Sequence, residues 1–113
     1  MKNFPAHLQE LNTWMEKLGI EIPEVMQNFG ALHESAVKNG ALDHKTKELI
    51  ALGIAITVRC DGCISFHVHD AIEAGATEQE VAETVSVAIL MGGGPSVVYG
   101  TEAMQAFEQF QKK

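Results

Sequence analysis

Apolar residues recur at intervals of three and four along almost the whole chain, and no segment alternates with period two long enough to make a strand. Such a chain buries its apolar side chains by packing helix on helix, so the expected fold class is all-α. Phe4, Leu8, Leu11, Met15 and Leu18 mark an amphipathic helix over 4–18, with Pro5 in its first turn and Gly19 at its end. Ile22, Val25, Met26, Phe29, Leu32 and Ala36 form the stripe of a second, opened by Pro23 and closed by Asn39-Gly40. Asp43 caps a third over 45–58, whose middle is apolar nearly all round (Leu49, Ile50, Leu52, Ile54, Ile56), which places it at the centre. A fourth spans 61–74, with Gly75 as its left-handed stop. The capping box Thr77-x-x-Glu80 opens a fifth, carrying Val81, Val85, Ala88 and Ile89. Gly92-Gly93-Gly94-Pro95 reads as a flexible break, not a phosphate cradle, because no Gly-Lys-Ser/Thr completes it. A last helix over 96–111 offers Ala103, Met104, Phe107 and Phe110 to the core. The expectation is about six helices in one domain, 1–113, without linker or repeat.

Charge and targeting narrow the function. Eight Lys and Arg against fifteen Asp and Glu give a net charge of −7. The only tight basic cluster is Lys112-Lys113, so phosphate-backbone binding is disfavoured and nucleic acid is not expected as a partner. The start of the chain is charged and amphipathic, without the apolar core of a signal peptide. The longest apolar stretch, 49–58, is interrupted by Thr57 and falls far short of the ~20 residues of a membrane span. A cytoplasmic protein with no membrane partner is expected. In a reducing compartment its two cysteines point to thiol chemistry or metal binding and away from a structural staple.

Those cysteines stand in the run Cys60-Asp61-Gly62-Cys63, at the start of the fourth helix, with His67 one turn beyond Cys63. Helical geometry puts Cys60, Cys63 and His67 within about 60° of one another, at the border of the apolar face. There a thiol is half-exposed, and the helix N-terminus favours the thiolate, most strongly at Cys60. A free thiol is only a few per cent ionised near pH 7, so a neighbouring base matters, and His67 is placed to be that base. The pair also lets a sulfenic acid or mixed disulfide on one sulfur be resolved by the other. If the third and fourth helices form a hairpin, Glu48 lies opposite Ala71, within a turn of His67. A carboxylate in so apolar a helix needs a partner, and His67 supplies one.

Other readings compete with this one. Cys60, Cys63, His67 and His69 have the residue types of a zinc set, but His69 points about 160° away from His67, and zinc pairs are usually a dozen or more residues apart. Inert buried cysteines are a further alternative. His7, His33 and His44 show no partner in the sequence and read as solvated, as does Asp70; His69 reads as a surface residue or a supporting contact. Tyr99 and the methionines fit core positions.

The pattern Glu48-x11-Cys60-x2-Cys63-x3-His67 resembles the active-site signature of the AhpD-like alkylhydroperoxidases, within the carboxymuconolactone decarboxylase family. The likeness runs from 43 to 107 and takes in His69-Asp-Ala-Ile-Glu-Ala-Gly-Ala-Thr77 and the Gly-Gly-Gly-Pro break. It implies an AhpD-like helical domain that assembles as a homotrimer or homohexamer. It further implies a dithiol peroxidase or disulfide oxidoreductase acting on hydroperoxides, with Cys63 as peroxidatic thiol, Cys60 as resolving thiol, and Glu48 with His67 as proton relay. An external dithiol, such as a lipoylated protein, would return the electrons, and no cofactor or metal is implied. The best-known enzymes of this type carry a histidine directly before the second cysteine, where this chain has Gly62. A non-catalytic redox sensor or thiol-disulfide partner protein is the alternative. The lactone-decarboxylating branch lacks the cysteine pair and is more distant.

Overall fold

A computed structural model describes residues 2–112; Met1 and Lys113, the second lysine of the terminal pair, lie outside them. Six helices follow in order: α1 (Phe4–Glu21), α2 (Pro23–Val37), α3 (His44–Thr57), α4 (Asp61–Glu73), α5 (Glu78–Gly92) and α6 (Gly94–Gln111). Among the described residues there is no strand, and no helix is long and apolar enough to cross a membrane. α3 packs on α4, α5 and α6, as its apolar middle predicts. Leu52, Ala55 and Ile56 of α3 meet Ile64, Val68 and Ala71 of α4, Val81 and Ala88 of α5, and Ala103, Ala106 and Phe107 of α6 in one core cluster, with Phe4 of α1 driven fully into it. Small residues dominate where the helices approach most closely. At Gly100 of α6 an added Cβ would lie 2.5 Å from Val85 Cγ1, so glycine is what lets α5 and α6 come together.

The caps follow local chemistry. Asn3, Asp43 and Thr77 each accept the backbone N–H of the third residue of the helix that follows, and Thr77 with Glu80 completes the expected capping box. α3 and α4 both end in the same six-to-one pattern: Cys60 N–H bonds Ala55 O at 3.0 Å, and Ala76 N–H bonds Ala71 O at 2.9 Å. Gly75 takes the left-handed position in the second (φ 93°), as the sequence predicts, but Arg59 takes it in the first (φ 62°). The chain ends are clasped together by Gln109 of α6, which accepts from Phe4 N at 2.7 Å and donates to Lys2 O at 2.7 Å.

Three expectations need correction. α1 does not stop at Gly19 but runs on to Glu21; the helix breaks at Ile22 (φ −134°, ψ 64°), because the following Pro23 disfavours helical backbone before it. The triple glycine is not a flexible break. α5 continues through Gly92 and α6 begins at Gly94, so the corner is Gly93 alone, at φ 70°, ψ −149°. Finally, the apolar stripe of α2 does not reach the core: the helix carries no buried residue, and Val25, Phe29 and Leu32 face outward. Ile50 and Ile54 of the central helix are likewise exposed.

Candidate active site

The α3–α4 corner builds the site. Arg59 in the left-handed conformation turns the chain so that Cys60 becomes the N-cap of α4 and Cys63 lies in its first turn. Cys63 N–H donates to Cys60 Sγ at 3.2 Å, so the sulfur of Cys60 fills the acceptor role that a serine or aspartate usually plays. The two sulfurs are bonded to each other, with Cα atoms 5.2 Å apart. Both cysteines are half-buried, and Cys63 also packs against the core cluster. Asp61 follows Cys60 directly. Its burial opposes ionisation, but the hydrogen bond and charge of Lys2, with His7 nearby and the Gly62 N–H, hold its carboxyl below the usual aspartate range. Lys2 Nζ lies 3.3 Å from Asp61 and 3.0 Å from Glu102, which offsets the negative charge that Asp61 brings to the helix end.

One turn deeper, α3 and α4 bring Glu48 and His67 together. His67 Nδ1 lies 2.8 Å from Glu48 Oε1, and Glu48 is 1% exposed. A carboxylate so buried demands a donor, so the ring carries its hydrogen on Nδ1 and leaves the Nε2 lone pair free to accept a proton. The sequence finds this pair because both residues belong to one hairpin with a short, fixed corner.

Three residues read as solvated are only partly exposed and have neighbours at the site, which corrects the sequence reading. His44 Nδ1 donates to Val37 O at 2.7 Å, and its Nε2 faces Glu48 Oε2 at 3.8 Å. The spacing His44-x3-Glu48 on one helix was the signal for it. The His33 ring, reaching in from α2, stands 6.3 Å from that of His67. Asp70, one turn beyond His67, accepts from His69 Nδ1 at 3.0 Å. Atoms of His33, Glu48 and Asp70 able to ligate a metal lie within 4.8 Å of one another. Nothing in the sequence announces His33, since its place depends on how α2 docks. His69 itself packs edge-on to Phe110 of α6, with ring centroids 5.4 Å apart. Gly62 is crowded: a Cβ there would come within 3.0 Å of Leu11 Cδ1 of α1.

The molecule is therefore an all-helical protein with a redox-capable dithiol at a helix N-terminus and a buried carboxylate–histidine pair behind it. The carboxymuconolactone decarboxylase family model matches residues 23–106, and the chain belongs to that family. It is 44% identical to the family protein lpg0406 of Legionella pneumophila, with a TM-score of 0.95 over 99% of this chain and 100% of that one. A Thermotoga maritima family protein, for which involvement in an antioxidative response has been suggested, gives a TM-score of 0.71 at 30% identity over 76% of this chain and 89% of that one. An uncharacterised protein of Haemophilus influenzae is 39% identical over 93% of each chain.

Proposed function

We propose that the protein is a dithiol peroxidase that reduces hydroperoxides through Cys60 and Cys63. The observation that carries the reading is the 2.8 Å contact between His67 Nδ1 and the buried Glu48 carboxylate, one turn behind the dithiol. In the reduced protein, His67 Nε2 accepts the Cys63 proton, and Glu48 stabilises the imidazolium that results. The Cys63 thiolate attacks the peroxide oxygen, breaking the O–O bond; the imidazolium returns its proton to the departing alkoxide, giving an alcohol and a Cys63 sulfenic acid. Cys60 then displaces water from that sulfur and forms the Cys60–Cys63 disulfide. An external dithiol reduces it by exchange and leaves as its own disulfide; a lipoyl group fits this role. The reading also includes assembly as a homotrimer or homohexamer, supported by the apolar faces left open on α2, α3 and α5.

The test is turnover of a hydroperoxide by the purified protein with dihydrolipoamide as donor. Cys63→Ser should abolish turnover. Glu48→Gln keeps the shape and the hydrogen bond to His67 but removes the charge, so turnover should fall roughly 10²-fold, with the thiol alkylation profile displaced to higher pH. An alkylation profile identical to wild type would remove the relay. A single oxidation followed by a change of assembly, without turnover, would favour a redox sensor.

A further inference from the structure

Behind the dithiol, the second oxygen of the Glu48 carboxylate has no hydrogen-bond partner although it is fully buried. His44, which faces this oxygen, does not satisfy it. His44 Nδ1 faces the carbonyl of Val37 at 2.7 Å, and a carbonyl only accepts, so Nδ1 carries the hydrogen. The neutral ring therefore presents the bare Nε2 lone pair to Glu48 Oε2 at 3.8 Å. Two lone pairs facing each other, one of them on a fully buried oxygen, call for a positive charge between or beside them. The same carboxylate stands with His33 and Asp70 in a group whose ligating atoms lie within 4.8 Å of one another.

From this arrangement we propose a binding site for a divalent transition metal of the zinc type, held by Glu48, His33 and Asp70 with His44 as the fourth ligand. Two carboxylates and two neutral imidazoles form a donor set suited to zinc, and the carboxylates balance its charge. The supporting contacts are those of a ligating shell. His44 is fixed by a backbone carbonyl, Asp70 by His69 at 3.0 Å, and the other Glu48 oxygen by His67 at 2.8 Å. Ligands about 2.0–2.1 Å from a tetrahedral zinc stand roughly 3.4 Å apart, so separations within 4.8 Å close by at most about 1.4 Å. His33 is the member best able to move, because α2 carries no buried residue. The cysteine sulfurs take no part, so this site differs from a Cys60-Cys63-His67 zinc set. The site shares Glu48 with the proton relay, but metal binding to the oxidised protein does not depend on peroxidase activity.

Calorimetric titration of the full-length oxidised protein with zinc chloride tests it, since the disulfide keeps both sulfurs out of the coordination sphere. One ion per chain is expected, with affinity reduced at least about tenfold in His33→Ala and in Asp70→Asn. Cobalt(II) provides a second readout that survives any loss of fold in a variant: the wild-type complex should show visible bands of a tetrahedral nitrogen and oxygen site, without sulfur charge transfer. Absence of binding, or zinc and cobalt binding that both substitutions leave unchanged, overturns the site.

Discussion

At the scale of single residues, Gly62 sets this chain apart from the best-known enzymes it resembles. A side chain there would have to enter space held by Leu11 of α1, whose Cδ1 is 3.0 Å from the position of a Cβ. Gly62→His is expected to overpack this contact at a cost of about 1–3 kcal/mol, lowering the melting temperature by several degrees. Leu11→Ala in the same chain should relieve most of that loss. Melting curves of the two single variants and the double variant check it, and strictly additive losses would show that Leu11 is not the obstacle. Site residues were legible in the sequence to the extent that they are local. Cys60, Cys63 and His67 share one helix, and Glu48 lies across one tight hairpin. His33 reaches the same place only through tertiary docking of α2, which no spacing encodes. His44 and Asp70 lie within reach of helical spacing, but charged and polar residues at such positions are more often solvated than not.

At the scale of elements, helix positions were legible from periodicity and caps, whereas two corners depended on backbone conformations that sequence signals misplace. A glycine marks the left-handed stop of α4, so that end was readable; the stop of α3 falls on Arg59, which carries no such mark. The left-handed conformation costs a side-chain-bearing residue about 1–2 kcal/mol. Arg59→Gly should recover part of this, with a gain of about 0.5–1 kcal/mol after the greater freedom of glycine in the unfolded chain is counted. The opposite is expected at Gly93, whose φ of 70° with ψ of −149° lies in a region essentially reserved for glycine. Gly93→Ala should cost about 1–3 kcal/mol. Denaturant unfolding of both variants reads the two signs directly. A Gly93→Ala protein as stable as wild type would mean that the α5–α6 corner is a loose linker, as the run of glycines suggests.

At the scale of the whole molecule, the isolated chain leaves more surface open than a monomer of its mass usually does. Its accessible area is 7085 Å², against roughly 6,100 Å² expected for a 12.3 kDa monomer. The radius of gyration, 14.1 Å, is likewise above the roughly 13 Å expected for its length. The excess is comparable to the ~800 Å² each partner contributes to a standard interface. It is also apolar where it matters. Ile50, Ile54 and Val58 of the α3 end face Val87 and Met91 of α5 across an open groove of ≈ 500 Å³, while α2 turns Val25, Phe29 and Leu32 to solvent. The periodicity placed Ile50, Ile54, Val25, Phe29 and Leu32 on apolar helix faces, and contact with other copies of the chain would bury those faces. Light scattering behind size exclusion should then give a mass of three or six chains, not 12.3 kDa. Ile54→Glu puts a charge into the groove at a position 58% exposed in the single chain, so it should dissociate the assembly without a direct penalty inside the chain's own core. Because association stabilises only the folded state, the wild-type melting temperature should rise with protein concentration, and that of the variant should not. A wild-type chain that stays monomeric at micromolar concentration would leave the groove to another partner and remove self-assembly from the account of how so small a core holds a buried carboxylate in place.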